Sequence, residues 1–162
     1  MNGAYAVLAV RIRQELGDLK RVSERTARAL RQAAAGGQQQ DLFLDATALN
    51  LHDFYCGVER ICQRIAETMD GSVPAGRDWH RELLRQMAAD LAPIRPQALS
   101  RETVKLLDEY MRFRHVVRNV YAFEFELARI QDLVRGLAPC LERVESELMA
   151  FVDFLNEVAD EA

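Results

Sequence analysis

The spacing of apolar residues in two stretches constrains this chain more than any other feature. Leu44, Ala48, Leu51, Tyr55, Val58, Cys62, Ile65 and Met69 recur at alternating intervals of four and three. Leu127, Ile130, Val134, Leu137, Leu141, Val144, Leu148, Phe151, Leu155 and Val158 repeat the pattern without a break. A period near 3.5 residues draws one narrow stripe along a helix and cannot line one face of a strand. Such a stripe is buried only by packing against other helices.

The rest of the chain fits the same plan. Residues 4–35 read as one long amphipathic helix through Leu8, Ile12, Leu16, Leu19, Val22 and Leu30, stopped by Gly36-Gly37. A short helix is predicted over about 78–90, with Trp79, Leu83, Leu84 and Met87 on one side. Pro93 and Pro96 predict an extended stretch after it. Ser100 reads as the next N-cap, with Leu99 and Val104 as a hydrophobic staple. The helix it opens uses Val104, Leu107, Met111 and Val117, and Pro139 predicts a kink near Gly136 in the last helix. The expected fold is therefore all-α: one domain over residues 1–162, an antiparallel bundle of four long helices plus one short helix. Phe54 and Ile61 lie beside the main stripe of the second helix. They serve either a homodimer face or the core of a single chain.

Composition removes several function classes. The chain has 162 residues, 49% of them hydrophobic, and a formal charge of −4, so overall charge does not mark a nucleic-acid binder. The charge is uneven: residues 11–31 hold seven Arg or Lys against three acids, and 142–162 hold seven acids against Arg143 alone. Those ends offer opposite fields to partners or to each other. The three cysteines, Cys56, Cys62 and Cys140, have no zinc-ligand spacing and read as reduced thiols of a cytoplasmic protein. No apolar run approaches the roughly 20 residues of a membrane span. No Gly-rich phosphate loop, HExxH or GxSxG occurs, and His52, His80 and His115 are scattered over three segments. No metal site and no cofactor are expected.

One stretch breaks the economy of a packing helix. Residues 113–126, FRHVVRNVYAFEFE, concentrate basic and polar groups. On a continuous helix Arg114, Arg118 and Tyr121 would share one face, with His115 and Asn119 on the next strip. From Met111 to Phe123 there are three arginines, including Arg112, and one histidine, with no acid. This is either a set of internal ion pairs or a phosphate-binding surface. Glu59, one turn beyond seam residue Tyr55, is placed to pair with Arg114 or Arg118. His115 is suited to proton transfer near neutrality, with Arg118 and Arg114 stabilising charge on a phosphorus.

FRHVVRNVY, the upstream DFYCGVERICQRIA and the WHRELL between them resemble the HEPN superfamily, and its HepT-like branch in particular. The resemblance covers about Leu44 to Leu155. It implies a small, commonly dimeric helical bundle. It also implies a metal-independent RNase toxin of a toxin–antitoxin pair, partnered by a minimal nucleotidyltransferase. Arg118-Asn119 matches the first half of the family's catalytic motif, an Arg and a polar residue followed by a His. The position of that His falls at Phe123, Glu124 or Phe125 here. Tyr121 lies near, not at, the position of the tyrosine that the partner modifies by AMP transfer. Two readings stay open. One is an RNase whose site uses Arg118, Asn119 and His115, with Arg112, Arg114, Tyr121 and Glu59 around it. The other is a non-catalytic antitoxin or regulatory subunit that binds the nucleotidyltransferase.

Overall fold

A computed structural model of the chain describes residues 2–161. Its elements are α1 (Gly3–Ala34), α2 (Gln40–Ile65), α3 (Trp79–Met87), α4 (Arg101–Asn119) and α5 (Leu127–Glu161). Among the described residues there is no strand beyond one isolated bridge between Leu91 and Arg95. Among the described residues no helix is long and apolar enough to cross a membrane. The expectation of an all-α bundle with four long helices and one short one holds.

The two seams are where the helices meet. Ala48, Leu51, Tyr55, Val58, Cys62, Ile65 and Met69 are buried on the α2 side, and Ile130, Leu137, Leu141, Val144, Leu148, Phe151 and Leu155 on the α5 side. α1 and α2 run antiparallel: Gln40 reaches the Ala33 carbonyl at one end, and Arg60 pairs with Glu15 at 2.8 Å further along. Gly57 lets them close up, because a Cβ there would stand 2.6 Å from Leu19 Cδ2. α1 and α5 are also antiparallel, through Asn2 N–H to the Ala159 carbonyl and Lys20 to Glu145 at 2.6 Å. The basic first helix and the acidic last helix thus face each other.

α4 packs antiparallel on α5. At one end the Glu147 carboxylate accepts from Ser100 N–H and from the Ser100 and Thr103 hydroxyls, between 2.6 and 2.9 Å. At the other, Tyr110 Oη donates to the Leu133 carbonyl at 2.7 Å. Ser100 caps α4 as expected, accepting from Thr103 N–H at 3.1 Å. Pro139 lies within α5 without ending it, and the seam keeps its phase across it.

Of the two readings of Phe54 and Ile61, burial within one chain selects the core: both are fully buried, so that strip supplies no dimer face. Two expectations need correction. Pro93 sits in a tight turn closed by Leu91 N–H to the Arg95 carbonyl, not in an extended stretch. The helix carrying residues 113–126 ends at Asn119. Val120 and Tyr121 are extended, Ala122–Glu124 make one 3₁₀ turn, and α5 begins at Leu127. Asn119 folds its amide back to the His115 carbonyl at 2.7 Å, and the Glu124 carboxylate accepts Tyr121 N–H at 3.2 Å. The Glu124 bond satisfies a backbone N–H outside the helical ladder, and the Asn119 amide bonds back to a carbonyl one turn earlier; such local side-chain bonds compete with continued helix.

The cysteines divide by burial. Cys62 and Cys140 are buried, and burial pushes each thiol up to about 12. Cys56 is half-buried, with Sγ 3.7 Å from the His52 ring. Thiolate is the reactive form. Titration of the native protein with a disulfide reagent near neutral pH should therefore show one fast thiol, and three after denaturation. Three fast thiols in the native protein would contradict this packing.

Candidate functional site

α2, α3 and α4 converge on a buried acid. Glu59 projects from α2 one turn after Tyr55 and is buried. Such a carboxylate needs partners. His80, in the first turn of α3, supplies its Nδ1 at 2.5 Å from Glu59 Oε2. Arg114 of α4 supplies its guanidinium, with Nη2 at 3.8 Å from Glu59 Oε1 and Nη1 at 3.4 Å from His80 Nε2. Trp79 lies across the His80 ring, centroid to centroid 3.6 Å, and holds its plane. Tyr55 is buried beside them, and burial, reinforced by the charge of Glu59, pushes its hydroxyl well above the usual tyrosine range.

The guanidinium is under-satisfied. Arg114 is only 13% exposed. Its Nε is the only buried side-chain nitrogen or oxygen without a hydrogen-bond partner among the described residues. An arginine with idle donors in a cleft is placed to take an anion. A cleft of about 410 Å³ opens over it, between the start of α3 and the C-terminal half of α4. Arg77, Arg81 and Arg112 line it with Arg114, and His80 and His115 add two imidazoles. Asp78 is the one acid in the lining. Arg112 is held by Asp108 at 2.6 Å in an exposed pair within α4.

The sequence-derived residues are thus partly gathered. Glu59, Arg112, Arg114 and His115 meet at or beneath the cleft. Arg118, Asn119 and Tyr121 lie outside its lining. Arg118 is exposed at the end of α4 and takes part in none of the ion pairs among the described residues. Asn119 is exposed too, and its Nδ2 is 3.3 Å from His115 Nδ1. The break after Asn119 removes Tyr121 from the face of Arg114. Its ring stacks on Phe123 instead, 5.3 Å apart and nearly parallel. His80 is the residue that spacing alone missed. It lies 21 positions from Glu59, and only its place in WHRELL marked it.

A family model described as HepT-like protein matches residues 46–155, from α2 into α5. The chain belongs to the HepT-like family. No curated protein and no solved structure matches it. The matched segment of this HepT-like chain contains every residue that lines the cleft, with Glu59 and Tyr55 buried beside it, and α1 lies outside it.

Proposed function

We propose that this HepT-like protein is the RNA-acting member of a toxin–antitoxin pair and that the cleft over Arg114 binds the RNA backbone. The observation that carries this reading is the under-bonded Arg114 at the base of a cleft with four arginines and one acid. Guanidinium forks match phosphate oxygens in pairs. Arg118, exposed at the end of α4, extends the positive track. Cleavage at a 2′-hydroxyl needs no external nucleophile. It needs a base for the hydroxyl proton and cations for the charge that builds on phosphorus. The cleft offers both, and His115 is the histidine that the sequence assigns to the proton.

A second reading rests on the exposed aromatic pair. Tyr121 is 73% exposed and Phe123 83%, stacked on each other at the turn between α4 and α5. Such a tip suits a protein partner, and a nucleotidyltransferase is the partner that the resemblance implies. In this reading the chain is a regulatory subunit. A homodimer, if formed, uses surfaces such as Leu42 and Leu49, exposed seven residues apart on α2.

The test is binding of single-stranded RNA by the purified chain at several salt concentrations. Arg81→Gln combined with Arg112→Gln should weaken binding and lower the salt slope by about one for each phosphate that is no longer neutralised. Unchanged affinity in that variant would remove the cleft from the RNA site. Tight capture of a nucleotidyltransferase by a chain that binds no RNA would favour the second reading.

A further inference from the structure

We propose that His80, held by Glu59, is the base of this site, and that His115 instead donates a hydrogen bond to the phosphate. This rests on the reading of the cleft as an RNA site. The hydrogen bonds at each ring fix which nitrogen carries the proton. A carboxylate only accepts, so the bond to Glu59 places the proton of neutral His80 on Nδ1. A guanidinium only donates, so Arg114 Nη1 faces an unprotonated Nε2. The two contacts agree: the lone pair of neutral His80 is on Nε2, against Arg114, which lines the cleft beside it. His115 has the opposite arrangement. The Asn119 amide nitrogen donates to its Nδ1, and the same nitrogen donates to the His115 carbonyl, which fixes the amide orientation. The proton of neutral His115 therefore sits on Nε2, where the ring can donate and cannot accept. A base needs an available lone pair: the donor on His80 Nε2 is Arg114, the residue a phosphate engages, whereas the donor on His115 Nδ1 is Asn119 of its own helix, itself bonded back to the His115 carbonyl.

The surroundings of His80 suit the task. Its ring is clamped between the Glu59 carboxylate and the Trp79 indole. Glu59 is buried and stabilises the imidazolium once the ring takes a second proton. Arg114 reaches His80 by one long hydrogen bond and has idle donors, so a phosphate draws it away and uncovers Nε2. In the step itself, the 2′-hydroxyl proton passes to His80 Nε2 and the 2′-oxygen bonds to the adjacent phosphorus. The bond from phosphorus to the 5′-oxygen breaks, and that oxygen takes a proton from solvent. The products are a 2′,3′-cyclic phosphate and a 5′-hydroxyl. His80 then returns its extra proton to solvent. Glu59 is a positioning residue and His80 the catalytic one.

Two measurements on the full-length protein test this. Long-range proton–nitrogen correlation spectra of the wild-type imidazoles, assigned with His80→Gln and His115→Gln, should show neutral His80 protonated on Nδ1 and neutral His115 on Nε2. In Glu59→Gln the His80 ring should lose its single tautomer. A wild-type His80 protonated on Nε2 would overturn the proposal without any RNA present. The second measurement pairs affinity with cleavage, in chelator, on a short labelled single-stranded RNA of mixed sequence. A 2′-O-methyl copy of that RNA serves for binding. His80→Gln should lower the rate at saturating RNA by roughly 10²–10⁴-fold while affinity stays within about threefold. A wild-type rate in His80→Gln, with binding intact, would sink the base assignment and leave the cleft standing. Wild-type protein that binds RNA without cutting it would do the same. Wild-type protein that binds no RNA would instead overturn the cleft reading.

Discussion

Asp70→Asn should destabilise the protein by about 3–5 kcal/mol, the cost of stripping one partner from a buried ion pair. Arg95 is fully buried, and its guanidinium is bonded on every side. Its Nε and Nη2 donate to the two Asp70 oxygens at 2.6 and 2.8 Å. Its remaining donors reach the carbonyls of Gln86, Ala89 and Pro96 between 3.0 and 3.3 Å. Gln86 adds its own amide to Asp70 at 2.6 Å. The neutral amide leaves the guanidinium charge without a counter-charge, where water cannot reach it. The damage also spreads. Asp70 ends the π-helical turn Ala66–Asp70 that closes α2, and Arg95 lies in the loop after α3. The clamp therefore locks α3, and His80 with it, onto α2. Urea unfolding followed by circular dichroism measures the loss. The exposed pair Arg85–Glu82 is the control: Glu82→Gln should move stability by no more than about 0.5 kcal/mol. Equal effects at the two sites would show that the clamp does not carry the fold.

Phe54→Ala should cost about 3–5 kcal/mol, the range for truncating a buried aromatic. Phe54 is wholly enclosed, and its ring meets Tyr110 edge-on at 5.3 Å and 71°. Tyr110 is tied in turn to the Leu133 carbonyl, so the cavity opens where α2, α4 and α5 meet. Any dependence of the midpoint on protein concentration should be the same in Phe54→Ala as in the wild type, because the ring packs inside one chain. A midpoint that rises with concentration in the wild type and loses that dependence in Phe54→Ala would assign the ring to an interface between copies.

The helical plan was legible because it is local. Each stripe repeats within a turn or two, and the same positions that set the period also fill the core. The Gly36-Gly37 stop and the Ser100 cap are local too, and both stand where the sequence placed them. The end of α4 was not legible. Apolar spacing continues past Asn119, and the residues that stop the helix do so by folding back, Asn119 onto His115 and Glu124 onto Tyr121. A polar side chain that bonds its own backbone leaves no mark in the spacing of hydrophobic residues.

The site divides along the same line. Sequence by itself determined an all-α bundle, an arginine-rich segment late in the fourth helix, and an acid one turn from the seam that an arginine could reach. Tertiary structure alone decided that the partner of Glu59 is Arg114, that His80 joins them from 21 residues away, and that Arg118 stays outside. Tertiary structure also set His80 Nδ1 against Glu59 and His80 Nε2 against Arg114. Those outcomes depend on how α3 is docked, and the docking depends on a buried ion pair between Asp70 and Arg95. The strength of such a pair comes from the exclusion of water, a property of the packed chain and of no single stretch of it.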